Sequence, residues 1–131
     1  ADSWFKQCQF KDSQYQRANF SKNIFHDLSI QKSSLRYANF TSSHFDKCEI
    51  CESDMTDTFF AECLFKEMII TDSQFIRTEF FHTSLKNIDF SDSLLSDISI
   101  SDDKKELSGA IVNIYQAAEL SKLLGLLIKE G

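Results

Sequence analysis

The stretch LRYANFTSSHFDKCEI, residues 35–50, decides the fold because its apolar residues follow neither helical nor strand spacing. Large apolar residues stand five apart, and a small residue precedes three of them by two places: the large ones are Leu35, Phe40, Phe45 and Ile50, and the small ones are Ala38, Ser43 and Cys48. Five residues of α-helix rotate a side chain about 140° away from its starting face. Five residues of strand turn it to the opposite face of the sheet. The chain must therefore turn about once in every five residues, always in the same sense.

The period of five runs from Phe5 to Ile100, and its only polar group is the hydroxyl of Tyr15. A fixed repeat of this kind predicts a solenoid. Every twentieth residue has a similar shape, and the four resulting columns are Phe5, Phe25, Phe45, Phe65, Leu85; Phe10, Ile30, Ile50, Ile70, Phe90; Tyr15, Leu35, Met55, Phe75, Leu95; and Phe20, Phe40, Phe60, Phe80, Ile100. Because stacked side chains favour like shapes, the columns predict four sides and about five coils.

The repeat has the form small-x-bulky-x-x, and its clearest copies are ANF at 18–20 and 38–40. It resembles the pentapeptide-repeat family, which implies a right-handed quadrilateral β-helix, here over residues 1–102. The period stops after Ile100, so we expect residues 103–131 to form a C-terminal cap. Residues 1–100 contain no Gly and no Pro. This absence argues against hairpin turns, which need φ > 0.

The tail carries helix signals. Asn113 followed by Gln116 is close to a capping box, and Gly125 is suited to end a helix. We expect a helix over about 114–124 that covers the last coil, with LLI at 126–128 as a closing strand. Its apolar residues near one face are Ile114, Ala117, Leu120 and Leu124.

The tail also resembles a known segment. The pattern LSG…V…QA…L..LLGLLI is similar to the C-terminal segment of the quinolone-resistance branch of the family. That resemblance implies a homodimer paired end to end, which resembles a rod of B-DNA and binds DNA gyrase or topoisomerase IV. The candidate cap and dimer residues are Ile111, Leu120, Leu123, Leu124 and Leu127.

Charge suggests where a partner would bind. The net charge of −6 argues against direct contact with nucleic acid. The side built on the second column is the most acidic, and its candidate partner-binding residues are Glu49, Glu52, Asp72, Asp89 and Asp92. An acidic rod can offer carboxylates where DNA offers phosphates, so the leading hypothesis is a DNA mimic that modulates a type II topoisomerase. The alternative is a structural interaction module that uses the outward-facing Phe59 and Phe81.

The sequence offers little for catalysis. The cysteines of CEIC, residues 48–51, have metal or redox spacing, but the register turns Cys48 inward and Cys51 outward. No nucleophile paired with a base and no phosphate-binding loop occurs. We expect no enzymatic activity, no cofactor and no metal. No apolar run reaches about 18 residues, so the sequence predicts a soluble, cytoplasmic protein with no membrane partner.

Overall fold

A computed structural model describes residues 3–129, which form a β-solenoid of about five coils closed by a short helix. Within this range ten strands of three residues are present: Trp4–Lys6 (β1), Gln9–Lys11 (β2), Ile24–His26 (β3), Ser29–Gln31 (β4), His44–Asp46 (β5), Glu49–Cys51 (β6), Leu64–Lys66 (β7), Ile69–Thr71 (β8), Gln74–Ile76 (β9) and Leu94–Ser96 (β10). Two 3₁₀ helices span Lys105–Leu107 and Ser121–Leu124, and the α-helix Ile114–Leu120 (α1) lies between them.

Four parallel ladders form the sides. The first side is the sheet β1-β3-β5-β7, and the second side is the sheet β2-β4-β6-β8. The third side contains β9, β10 and isolated bridges such as Ser34 with Asp54, and the fourth consists of bridges such as Asn39 with Phe59. In the first sheet Phe25 pairs with Phe45, twenty residues on. The period of twenty and the four sides are therefore confirmed.

Aromatic rings stack inside the coils. On the fourth side Phe20, Phe40, Phe60 and Phe80 form a column with ring centroids 5.1–5.7 Å apart and interplanar angles of 14° or less. The small residues two places earlier also point inward, and they form hydrogen bonds between coils. The hydroxyl of Thr58, for example, donates to the carbonyl of Leu35 at 2.7 Å. The small residues therefore pair with backbone carbonyls of the neighbouring coil, and they also leave room for the large apolar side chains.

The corners correct one assumption drawn from the sequence. Every fifth residue from Gln7 to Asp97, except Asp92, has positive φ although none is glycine. Left-handed φ costs an ordinary residue roughly 1–2 kcal/mol. The coil backbone bonds to its neighbours on both sides and holds each corner in place. Lack of glycine therefore does not exclude positive φ, although the described sheets are all parallel and contain no hairpin.

Polar side chains close the C-terminal end of the solenoid. At the fourth corner the N–H of Glu62 donates to the carbonyl of Phe81 at 2.8 Å. One coil later the N–H of His82 donates instead to the carboxylate of Glu106 at 2.8 Å. The ladder then resumes, since the N–H of Phe90 donates to the carbonyl of Ile111 at 2.8 Å. The backbone N–H groups at the end of the repeat are thus paired by the side chain of Glu106 and by a partial sixth coil.

Helix α1 covers the last coil with an amide. Asn113 and Gln116 form the expected capping box. The Nε2 atom of Gln116 also donates to the carbonyls of Phe90 at 2.6 Å and Ser93 at 2.5 Å. Gln116 is the buried residue of the helix. Gly125 ends the helical segment with φ of 76°.

Two expectations for the tail were wrong. The apolar face does not cover the coil as a unit, because Ile114 and Leu124 are exposed. Leu120 does pack against the core. Residues 126–128 form no strand, and their side chains are exposed. The open carbonyls of the last coil need donors, and an amide supplies them where a leucine cannot.

Candidate partner-binding surfaces

The acidic side consists of the sheet β2-β4-β6-β8, the bridge of Asp89 with Ile111 in the next layer, and the corner that follows them. Glu52, Asp72 and Asp92 stand twenty residues apart at this corner, one per coil, and all three are exposed. Successive strand layers are about 4.8 Å apart, so the carboxylates form a row along the rod. Glu49 is half-buried in β6, and Asp89 is exposed opposite Ile111. The structure thus gathers the five predicted carboxylates on one side.

Over coils three to five the strands and bridges of the acidic side carry no cation, although the exposed Lys47 lies at its corner with the first side, next to Glu49. Within residues 3–129, none of its five predicted carboxylates forms an ion pair. The third side differs, because Arg77 binds both oxygens of Asp57 at 3.0 Å. That contact lowers the pKa of Asp57 and offsets its charge. The carboxylates on the second side therefore keep their negative charge without a paired cation, whereas those on the third side are partly neutralised.

Hydrogen bonds hold two of the acidic side chains. The hydroxyl of Ser29 donates to Oε1 of Glu49 at 3.0 Å. The side chain and backbone N–H of Ser91 donate to Asp89 and lower the pKa of its carboxyl. These hydrogen bonds therefore favour the ionised form of Asp89.

An apolar residue interrupts the acidic side. Ile69 pairs with Glu49 in the ladder, and 61% of its surface is exposed. It lines a shallow cleft of about 280 Å³ with Glu49 and Glu67 at the corner between the first and second sides. Sequence reasoning missed both Ile69 and Glu67. The signal was present in MII, residues 68–70, where two isoleucines adjoin and only one can face inward.

The alternative apolar residues are less prominent. Phe59 is 37% exposed on the fourth side, between Asn39 and Glu79 in the ladder. Phe81 is half-buried in the next layer of the same side. The ring contacts found within residues 3–129 do not include this pair.

The tail presents a larger apolar surface. Tyr115 is 84% exposed and Leu127 is 98% exposed. Together with Leu126 and Ile128 they line a cleft of about 510 Å³ beside α1. The other predicted dimer residues divide: Leu124 and Ile111 are exposed, whereas Leu120 and Leu123 are half-buried towards the last coil.

Two cysteines are buried in the core, and one histidine contacts a carboxylate. Burial raises the pKa of Cys48 to about 11 and that of Cys63 to about 12, so both are unreactive thiols. Nδ1 of His26 lies 3.0 Å from Oδ2 of Asp46. In the part of the chain described here, no set of three ligands suited to a metal ion comes together. Nor does any helix there have the length and apolar character needed to span a membrane.

Comparison with known proteins supports the fold. No protein-family model and no curated protein matches the chain. Among solved structures, a pentapeptide repeat protein (Rfr23) from the cyanobacterium Cyanothece 51142 is similar with a TM-score of 0.63 and 7% identity, over 86% of this chain and 89% of that one. A pentapeptide repeat protein from the thylakoid lumen of Arabidopsis thaliana is similar with a TM-score of 0.45 and 17% identity, over 97% of this chain and 91% of that one. A trypsin-treated form of QnrB1, a plasmid-mediated fluoroquinolone resistance protein, is similar with a TM-score of 0.40 and 11% identity, over 99% of this chain and 100% of that one. The similarity to the Rfr23 structure shows that this chain has the fold of a pentapeptide repeat protein.

Proposed function

We propose that this chain is a protein-binding rod whose acidic side occupies the DNA-binding groove of a type II topoisomerase such as DNA gyrase or topoisomerase IV. The observation that carries the proposal is the row of unpaired carboxylates Glu52, Asp72 and Asp92. A groove that binds DNA is lined by cations that neutralise phosphates. A rigid row of carboxylates meets the same cations and competes with DNA for them.

The rest of the acidic side suits such a contact. Glu49 and Asp89 are fixed by hydrogen bonds from neighbouring serines, so less side-chain entropy is lost on binding. Ile69 adds exposed apolar area among the charges. Binding is expected to tighten at low salt, because ions screen charges beyond about 8 Å at physiological strength.

Charge reversal tests the proposal. The variant Glu52→Lys, Asp72→Lys, Asp92→Lys is expected to lose binding to gyrase, measured on immobilised enzyme without DNA. Supercoiling assays with and without a quinolone then show whether binding inhibits the enzyme or protects it from the drug. All three side chains are exposed, so the thermal melt is expected to stay close to that of the wild type.

A matched variant separates the effect of the acidic side on binding from the effect of net charge. Glu62→Lys, Asp97→Lys, Asp102→Lys changes the net charge equally, but these exposed residues lie on other sides of the rod. It is expected to retain most of the binding. Equal losses in the two variants, or a wild type that leaves supercoiling unchanged at micromolar concentration, would contradict the proposal. The interaction module that uses Phe59 and Phe81 is then the better description.

A further inference from the structure

The charge of the rod changes sign along its axis. Coils one and two, residues 3–40, carry six cations against two carboxylates, whereas residues 41–100 carry four cations against twelve carboxylates. The six N-terminal cations are all exposed: Lys6, Lys11, Arg17, Lys22, Lys32 and Arg36. The net charge of −6 averages over these two regions and hides the positive one.

Four of these cations lie together, and we name Lys11, Arg17, Lys32 and Arg36 the cationic cluster. They occupy the second and third sides of the first two coils. Lys11 pairs with Gln31, directly before Lys32. The N–H of Arg17 donates to the carbonyl of Arg36 at 3.0 Å, so these two residues are neighbours across the coils.

The cluster is largely free of internal ion pairs. Within residues 3–129 Lys11, Arg17 and Lys32 have none, and Nε of Arg36 lies 3.9 Å from Oδ2 of Asp54. That carboxylate is also bound through Oδ1 by the N–H and hydroxyl of Thr56. Most of the positive charge is thus available to a partner.

The side chain of Arg17 stacks on an aromatic ring. Its guanidinium lies 4.7 Å from the centroid of the Tyr37 ring. Stacking on an aromatic face orients the guanidinium and leaves its N–H edge free for a bidentate contact. Guanidinium groups match phosphate oxygens in this geometry.

We propose that the cationic cluster binds the phosphate backbone of duplex DNA. Its surroundings favour nucleic acid over a protein partner, because they are polar and the four cations outnumber the one exposed carboxylate among them; the exposed neighbours are Asp12, Gln14, Gln16 and Tyr37. Protein interfaces have apolar centres, whereas nucleic-acid interfaces are polar and cationic. The acidic coils repel DNA and so confine the contact to the N-terminal end. This inference does not rest on the topoisomerase contact.

Fluorescence anisotropy with a labelled duplex of about 20 base pairs tests the inference, at salt from about 20 to 200 mM. Up to four phosphate contacts predict a slope of log affinity against log salt of about −3 to −4. The variant Arg17→Glu, Arg36→Glu is expected to bind at least about tenfold more weakly, with a slope nearer zero by about 2. Circular dichroism checks that both variants are folded.

The control variant Lys47→Glu, Lys66→Glu makes the same charge change at exposed positions of coils three and four. It is expected to bind like the wild type or only slightly more weakly. Absence of binding at low salt, or equal weakening in both variants, would overturn the proposal. Displacement of DNA by polyglutamate of equal charge would overturn it too, since the cluster would then recognise carboxylates. No enzyme is present, so this result and that of the gyrase experiment are independent.

Discussion

At the scale of single residues, the stacked aromatic core dominates stability. Phe45 is buried in the middle of the rod, and its ring stacks on that of Phe25 with centroids 5.0 Å apart. Phe45→Ala is expected to lower the free energy of unfolding by roughly 3–5 kcal/mol, because it opens a cavity between coils that cannot collapse. A denaturant titration measures the change.

Lys66 provides the control for this substitution. It is exposed in β7 on the same side of the rod, so Lys66→Ala is expected to cost well under about 1 kcal/mol. Similar losses at Phe45 and Lys66 would mean that the inward register is wrong.

Glu106 makes the end of the solenoid sensitive to acid. Only 3% of its surface is exposed. Burial opposes its ionisation, but the N–H groups of Ser101 and His82 and the Ser101 hydroxyl outweigh burial and lower the carboxyl's pKa. Because the folded pKa lies below the unfolded one, the stabilisation is present at neutral pH and is lost as pH falls through the folded value.

Glu106→Gln tests this linkage. The variant is expected to be less stable than the wild type at pH 7, and the difference is expected to shrink as the pH falls through the folded pKa of Glu106, because the wild type then also becomes protonated. The exposed Glu67→Gln serves as the control, with a difference from the wild type that is expected to stay small across the same pH range. A Glu106→Gln difference that stays constant with pH would contradict the assigned role.

At the scale of elements, the cap depends on one amide. Gln116 supplies two donors to the carbonyls of the last coil and accepts from the N–H of Asn113 at 2.9 Å. Gln116→Ala is expected to cost roughly 2–4 kcal/mol, since each buried polar group left without a partner costs about 1–3 kcal/mol. Ile114→Ala, at an exposed position of the same helix outside the tail cleft, is expected to change little in the same thermal and denaturant measurements.

The sequence predicted the coils better than the cap, and the reason is physical. An unbroken period from Phe5 to Ile100 constrains every coil through its neighbours, so the four sides followed from residue shapes. The cap occurs once and has no period. Its contacts depend on which carbonyls the last coil leaves open, which becomes visible only in three dimensions. The capping box of Asn113 and Gln116 was recognised, but the contacts of Gln116 with the coil were not.

The candidate acidic site was predictable for a similar reason. The register assigns each charged residue to a side, so Glu52, Asp72 and Asp92 could be grouped before their positions were known. The sequence did not reveal which charges are neutralised. The pairing of Arg77 with Asp57 depends on the position of two side chains across neighbouring coils. It is this pairing that distinguishes the second side from the third.

At the scale of the whole molecule, the tail leaves an apolar surface that a second copy of the chain would cover. Tyr115, Leu126, Leu127 and Ile128 line one cleft at the end of the rod. Isologous pairing through a shared surface is the commonest way to form a dimer. We expect a homodimer through this C-terminal segment, with about twice the 15.1 kDa mass of one chain in light scattering.

A charge at Leu127 tests the dimer. Leu127 is 98% exposed and contributes little to the fold, so Leu127→Asp is expected to yield a folded monomer because it places a carboxylate in an apolar interface. The control is Leu64→Asp, an exposed leucine on the first side and far from the tail, which is expected to leave the dimer intact. A wild type that remains monomeric at high concentration would rule out the dimer. If instead both variants dissociate, the contact lies elsewhere than at the tail. In a dimer paired at this end, the acidic coils of the two copies lie nearest its centre, and the cationic clusters lie at its two far ends. Loss of the dimer is therefore expected to halve the length of the continuous acidic surface.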